Sequence, residues 1–249
     1  MWPNFVEIAD GQVRSVRFGA TEVCRRISYL PRDNNWATAP AVARIETSGQ
    51  GGAVIQSQVS VADIRFDFRI DVALQDGALV VAARGVARSA FQANRVGFSF
   101  LRPTPDSVGA PVTCQHTDRP AESTQFPVTI APDQPMLDIA RMTYPLPSGA
   151  TLDIRFDAKR ADGSPLCFEM EDQRNWGDAS YQTYVGSLLD PWPFDVAAED
   201  VFEQTIRLEV TAPAEHVGEK RPSARRPKKP EFHLPTLGIT LPEGRATEA

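Results

Sequence analysis

Residues 168–184, FEMEDQRNWGDASYQTY, bring Glu169, Glu171, Asp172, Arg174, Asn175 and Trp176 close together directly after a strand-like run. In an extended chain Glu169 and Glu171 project from one sheet face, about 6.6 Å apart. Two carboxylates at that spacing repel unless a cation or hydrogen bonds intervene, and such pairs serve general acid–base chemistry. The competing reading pairs each glutamate with an arginine of a neighbouring strand, with no catalytic role. The side chains that follow, carboxylate, guanidinium, amide and indole, are those that hold sugars and sugar acids: planar polar groups for the hydroxyls, an aromatic face for the C–H patch. Arg174 follows the two glutamates closely enough to be expected to offset their repulsion.

A second stretch of the same kind is PRDNNWATAP, residues 31–40, with Arg32, Asp33, Asn34, Asn35 and Trp36. It reads equally as a turn-rich loop whose Asn and Asp side chains cap the backbone. His116, in VTCQHTD, is a further candidate acid or base, or a structural histidine. Arg95 and Arg102, in NRVGFSFLRPT, are candidate anion partners or surface charges. No HxH, HExxH or paired-cysteine spacing predicts a metal site. No phosphate loop, dinucleotide fingerprint or GxSxG elbow is present, so no cofactor is expected.

The elements that must position these residues are strands. In IRFDFRIDVAL, residues 64–74, Ile64, Phe66, Phe68, Ile70, Val72 and Leu74 fall on one face and Arg65, Asp67, Arg69 and Asp71 on the other. Period-2 alternation of that length predicts a half-buried strand. Asp76-Gly77 then separates it from ALVVAARGVAR, and Asp10-Gly11 separates FVEIA from QVRSVRF; both are hairpin signals. Asp162-Gly163 lies in the same way between TLDIRFDA and LCFEMED, and QTIRLEV, 204–210, alternates again. No helix of ten or more residues with 3.6 periodicity is found. The chain is expected to be all-β, roughly a dozen antiparallel strands in a sandwich over residues 1–211. Residues 212–249 carry Lys220, Arg221, Arg225, Arg226, Lys228 and Lys229 among prolines. They read as a disordered basic tail that cannot bury enough apolar surface to offset its ordering entropy.

With 249 residues, 42% of them hydrophobic, there is material for one large β-domain. A formal charge of −6 argues against nucleic acid or an acidic membrane surface as partner. No apolar run approaches the ~18–20 residues of a membrane span, and MWPNFVEIADGQ does not read as a signal peptide. Cys24, Cys114 and Cys167, odd in number and widely spaced, read as reduced thiols of a cytoplasmic protein.

Four ordered blocks, VRFGATEVCRRISYLPRDNNWATAP, NRVGFSFLRPT, CQHTDRPAESTQFPVTIAPDQPMLDI and FEMEDQRNWGDASYQTYV followed by PWPF, resemble the N-terminal domain of D-apionate lactonases across about residues 10–210. The resemblance implies a β-supersandwich related to galactose mutarotase. It also implies a following barrel domain, here expected from a separately encoded chain or replaced by a homo-oligomer, and a small sugar or sugar-acid lactone as ligand. Two departures stand out: LPTLGITLPEG leads towards the chain end at Ala249 rather than into a barrel, and Arg102 stands where the resemblance leads one to expect a histidine. Three readings stay open: a lactonase-family domain that binds the lactone without turning it over alone, an independent carbohydrate-binding module, and an aldose-1-epimerase-like enzyme using Glu169 or Glu171 with His116.

Overall fold

The computed structural model describes residues 5–47, 52–159 and 163–212; the tail expected after residue 212 lies outside them. The first eight strands are β1 (Phe5–Ala9), β2 (Gln12–Phe18), β3 (Thr21–Asp33), β4 (Ala41–Thr47), β5 (Ala53–Val61), β6 (Ile64–Gln75), β7 (Ala78–Ala87) and β8 (Phe91–Pro103). Then come β9 (Pro111–His116), β10 (Glu122–Gln125), β11 (Met136–Pro145), β12 (Thr151–Ala158), β13 (Phe168–Asp172), β14 (Ser180–Val185), β15 (Phe194–Val196) and β16 (Val201–Thr211). Among the described residues the helical content is a single 3-10 turn, Gln173–Trp176. None of it is long and apolar enough to cross a membrane.

The alternation in the sequence becomes the core. In β6, Ile64, Phe66, Phe68, Ile70 and Val72 are buried, while Leu74, at the strand end, is exposed and does not join them. Ile206 and Leu208 of β16 are buried likewise. Asp10-Gly11 and Asp76-Gly77 turn the β1–β2 and β6–β7 hairpins with positive φ at both turn residues, the backbone that matches the twist of the flanking strands. Of the third Asp-Gly pair, Asp162 lies outside the described residues. A narrow loop base holds Lys159 opposite Pro165, but β12 then pairs with β11 and β16, whereas β13 pairs with β11 and β14.

That divergence creates the two layers. Both β12 and β13 use the edge of β11 that faces away from β9: Ile139 pairs with His116 on one side and Phe168 on the other, Arg141 with Gln115 and Arg155. The hydrogen-bonded order is β1-β2-β3-β8-β14-β13-β11-β12-β16-β7-β6-β5-β4, and it folds over at β11. Layer one (β3, β8, β14, β13) packs on layer two (β12, β16, β7, β6) through Phe100–Phe156, Phe156–Phe168 and Tyr29–Phe68, with ring centroids 6.2, 4.7 and 5.3 Å apart.

One polar tie crosses this core. The buried Gln204 of β16 donates from Nε2 to the Val96 carbonyl at 3.1 Å and accepts the Phe98 N–H on Oε1 at 2.8 Å. Its amide stands in for a strand neighbour across Gly97, whose φ of 140° and lack of a side chain leave the space. A Cβ there would lie 2.2 Å from the amide. Gly97 is thus a close-approach glycine, and it lies between Arg95 and Ser99 on the strand beneath the site described next.

Candidate functional site

On β13 the side chains sort by face as the strand period requires. Phe168 and Met170 enter the core; Glu169 and Glu171 take the outward face of layer one. Their partners across β14 are Tyr184 and Gln182, and the next strand brings Ser99. A cleft of about 500 Å³ opens on this face, lined by Arg32, Trp36, Arg95, Glu171, Gln173, Trp176, Gln182 and Leu188.

Three local structures build its walls. Asp172 caps the 3-10 turn, its carboxylate accepting the Arg174 N–H, and Gly177 closes it in the left-handed conformation with φ 79°. Residues three apart eclipse in a 3-10 helix, so Gln173 and Trp176 both return to Glu171. Gln173 Nε2 donates to one of its oxygens at 2.9 Å and the Trp176 indole N–H to the other at 2.8 Å. The tethered indole is 74% exposed and shows its face at the mouth of the cleft.

The opposite wall is the loop after β3. Asp33 accepts the backbone N–H groups of Asn35 and Ala37 at 2.8 and 2.9 Å, the capping role open to an Asx residue. This turn holds Trp36 at φ 67°, a conformation rare for so bulky a residue. The Trp36 ring meets Trp192 edge-on at 5.2 Å.

The third wall, residues 187–189, is held from beneath by Glu169. This carboxylate, 1% exposed, accepts the Ser187 hydroxyl, the Leu188 N–H at 3.1 Å and the Tyr184 hydroxyl at 3.2 Å. Burial pushes the Tyr184 phenol well up, so it remains a proton donor. The glutamates therefore have separate sets of neutral hydrogen-bond donors, and among the described residues neither is bridged to an arginine.

Arg95 forms the floor. Its guanidinium carbon lies 3.5 Å from the Tyr184 ring centroid and 5.3 Å from that of Trp36. It is 6% exposed, and no ion pair joins it to a carboxylate among the described residues. Burial pushes it down to about 10; Arg32 acts the same way, whereas Tyr184, Glu171 and Glu169 act against it. It stays charged at neutral pH.

Other expected site residues lie elsewhere. Arg174 does not offset the glutamates; it turns from the cleft to Asp172, at 2.6 Å, and to the carbonyls of Pro127, Val128 and Thr129. The reason is the strand period, which puts Asp172 on the face opposite Glu171 and draws the guanidinium after it. Asp172 also accepts the Ala131 N–H, and Asn175 donates to the Ala131 carbonyl, so both brace the 127–131 segment rather than line the cleft. His116 is on β9, beyond β11. Its ring Nδ1 lies 3.1 and 3.0 Å from the Leu137 and Asp138 carbonyls, which makes that nitrogen the donor, and it does not line the cleft. Arg102 is sealed in the core between the Phe126 and Tyr144 rings, at 4.1 and 3.4 Å. Cys24 and Cys114 are buried free thiols and Cys167 a half-buried one. No group of three or more His, Cys, Asp or Glu is placed to hold a metal among the described residues.

Reasoning from sequence passes over Gln182, Leu188 and the Tyr184 platform, and names Arg32 only within the second stretch. For Gln182 and Tyr184 a signal existed: in SYQTY they alternate opposite Glu171 and Glu169, as any antiparallel neighbour of β13 would.

The two-layered architecture is that of galactose-mutarotase-like proteins. A galactose mutarotase-like protein from Lactobacillus casei superimposes with a TM-score of 0.51 at 10% identity, covering 83% of this chain and 96% of that one. The Slr1438 protein from Synechocystis sp. PCC 6803 gives 0.51 at 9% identity, covering 84% and 91%. Within that fold class the sequence is more specific. Residues 3–213 match the family model of the D-apionate lactonase N-terminal domain, and the chain belongs to that family. It is 34% identical over 212 residues to the D-apionate lactonase of Brucella anthropi, covering 83% of this chain and about a third (34%) of the length of that enzyme.

Proposed function

We propose that the cleft on layer one is a carbohydrate-binding site. It would take a sugar or sugar-acid lactone for a D-apionate lactonase-type reaction, with the domain contributing binding rather than chemistry. The observation that carries this reading is the pairing of an exposed indole, held edge-on by Glu171, with a buried guanidinium on the floor below it. An indole face suits the C–H side of a sugar ring, and the polar edges of Gln182, Gln173 and Arg95 suit its hydroxyls and carbonyl. The family to which the chain belongs supplies the lactone. The cytoplasmic, metal-independent setting expected from the sequence fits this reading, as does a partner protein covering the exposed Trp192 and Leu189 at the rim.

The epimerase-like reading required His116 to face a glutamate across a sugar ring. With His116 bonded to the β11 carbonyls and away from the cleft lining, that acid–base pair is not assembled. Isothermal titration of the whole chain with sugar lactones tests the proposal. Binding without turnover, weakened about tenfold or more by Trp176→Ala at unchanged melting temperature, is the expected result. Absence of binding to any sugar, sugar acid or lactone at millimolar concentration would overturn it.

A further inference from the structure

The charge of the cleft points to something narrower than a neutral sugar. Two guanidiniums, Arg32 and Arg95, line it against one carboxylate, Glu171. Both Glu171 oxygens already accept neutral N–H donors, and Glu169, buried behind Tyr184, is bound by three more. Neither glutamate therefore uses the arginines' hydrogen-bonding capacity, although their field helps to keep Arg95 charged.

Arg95 is more than nine-tenths buried, yet its contacts are ring faces. A guanidinium stacked on a ring keeps its N–H donors in its own plane, directed away from the ring. Among the described residues Arg32, beside it in register on β3, has a buried Nε without a partner, and its hydrogen bond to the Trp36 carbonyl is long at 3.5 Å. Buried cations are ordinarily paired with an anion. On the outward face of layer two even exposed arginines are paired: Arg69 with Asp71, Arg84 with Glu203, Arg88 with Asp67. In the cleft, among the described residues, no carboxylate pairs with Arg95 or Arg32, and Glu171 is held by Gln173 and Trp176 instead.

Building on the carbohydrate reading, we propose that the cleft selects the ring-opened, carboxylate form of a sugar acid over its neutral lactone, with Arg95 and Arg32 receiving the carboxylate. The guanidinium fork matches a carboxylate in two parallel hydrogen bonds. The same carboxylate relieves the repulsion between the two adjacent arginines. Trp176 then covers the polyol chain, and Glu171, fixed by Gln173 and Trp176, faces its hydroxyls.

The test uses isothermal titration of the full chain at pH 6 with four probes: D-apionate, its freshly prepared neutral lactone, a methyl pentofuranoside and sodium acetate. D-apionate is expected to bind about tenfold to a hundredfold more tightly than the lactone, the range of one charge-assisted hydrogen-bonded pair. Arg95→Met should erase that difference, the acid losing about tenfold or more in affinity beyond whatever the lactone loses. Arg95→Lys, which keeps the charge but not the fork, should retain part of it. Should Arg95→Met fail to fold, Arg32→Met, at the half-buried partner, must still narrow the gap. Lactone and furanoside binding as tightly as the acid would overturn the carboxylate selection and leave the carbohydrate site standing. Acetate matching the acid would show a bare anion site and overturn it too. No binding of any probe would remove both readings.

Discussion

The outward faces of the two layers are written in similar residues and have opposite fates. Layer two exposes Arg69, Arg84 and Arg88, each paired with a carboxylate at 2.5, 3.2 and 3.0 Å, every partner between about two-fifths and seven-tenths open to water. Layer one carries Arg95, almost as buried as the core, against Tyr184 and Trp36, with its neighbouring carboxylates committed to other donors. Hollows of about 560 and 530 Å³ also lie on layer two, but there Arg69, Arg84 and Arg88 each meet a carboxylate of the protein. What separates the faces is cover. The loops at 33–39, 173–176 and 187–189 rise over β3, β8 and β14, whereas the outward side chains of β6 and β7 meet solvent. Covering a charge without pairing it costs free energy, and such a cost is typically kept where function uses it.

The largest effect that sharpens this contrast is expected where layer one is braced. Asp172→Asn removes the counter-charge of Arg174 from a buried pair and should cost about 3 kcal/mol at neutral pH. Burial alone would raise the Asp172 carboxyl, but the hydrogen bonds from Arg174 and from the Ala131 and Arg174 N–H groups outweigh it and hold it below its usual value. A carboxyl depressed on folding stabilises fully above its unfolded pKa, about 3.9, and loses that contribution as pH falls through the folded one. Urea melts of wild type and Asp172→Asn should therefore differ most near pH 7 and converge below about pH 4. A gap that persists unchanged at pH 3 would show that the loss is packing, not charge.

Gly97→Ala comes next. A Cβ there meets the Gln204 amide and the residue keeps φ 140°, so a loss of about 2–3 kcal/mol is expected from strain and overpacking. Gly77→Ala, in the β6–β7 turn of layer two, meets nothing within 4 Å and should lose about 1 kcal/mol from backbone strain alone. Equal losses at the two glycines would erase the distinction between a braced floor and an open turn. Glu169→Gln follows: the amide can accept at only one of its two ends, leaving a buried donor unmet at a cost of about 1–3 kcal/mol. It should also loosen residues 187–189, seen as faster hydrogen exchange at Leu188 and a shift in Trp192 fluorescence.

Much of this was legible in the sequence, for a physical reason. Strand period and Asp-Gly turns are local, so the sandwich, the core face of β6 and the outward placement of Glu169 and Glu171 follow from alternation alone. The site was half legible. Trp36, Arg95, Glu171 and Trp176 do meet, but Arg174, Asp172, Asn175 and His116 do not join them. The turn after β13 is a 3-10 helix, where a shift of one residue sends Arg174 to the far side and Gln173 to the near side. That handedness is set by the Asp172 cap and Gly177, not by any periodicity. Equally invisible was the fold-over at β11, which separates β12 from β13 despite the Asp-Gly between them. It depends on a strand edge shared by partners distant in sequence.

The smallest expected effect is the one that would most directly break the comparison. On layer two Arg84 and Glu203 sit opposite each other across β7 and β16, 3.2 Å apart, with 56% and 70% of their side chains exposed. Water solvates both charges well, so little Coulomb energy remains to be gained, and holding two long side chains costs entropy. Exposed pairs of this kind couple by about 0.2–1 kcal/mol, less as salt rises. A double-mutant cycle over Arg84→Met and Glu203→Gln should thus give a coupling near 0.5 kcal/mol in low salt, falling towards zero at 1 M, with no change in ligand affinity. The single change Arg95→Met behaves differently if the face is built for a ligand. Removing a desolvated cation that has no carboxylate partner among the described residues relieves about as much as the lost ring stacking costs, so stability should hold within about 1 kcal/mol while the carboxylate preference disappears. If instead Arg84→Met altered ligand affinity, or Arg95→Met cost several kcal/mol and left affinity untouched, the roles assigned to the two faces would be reversed.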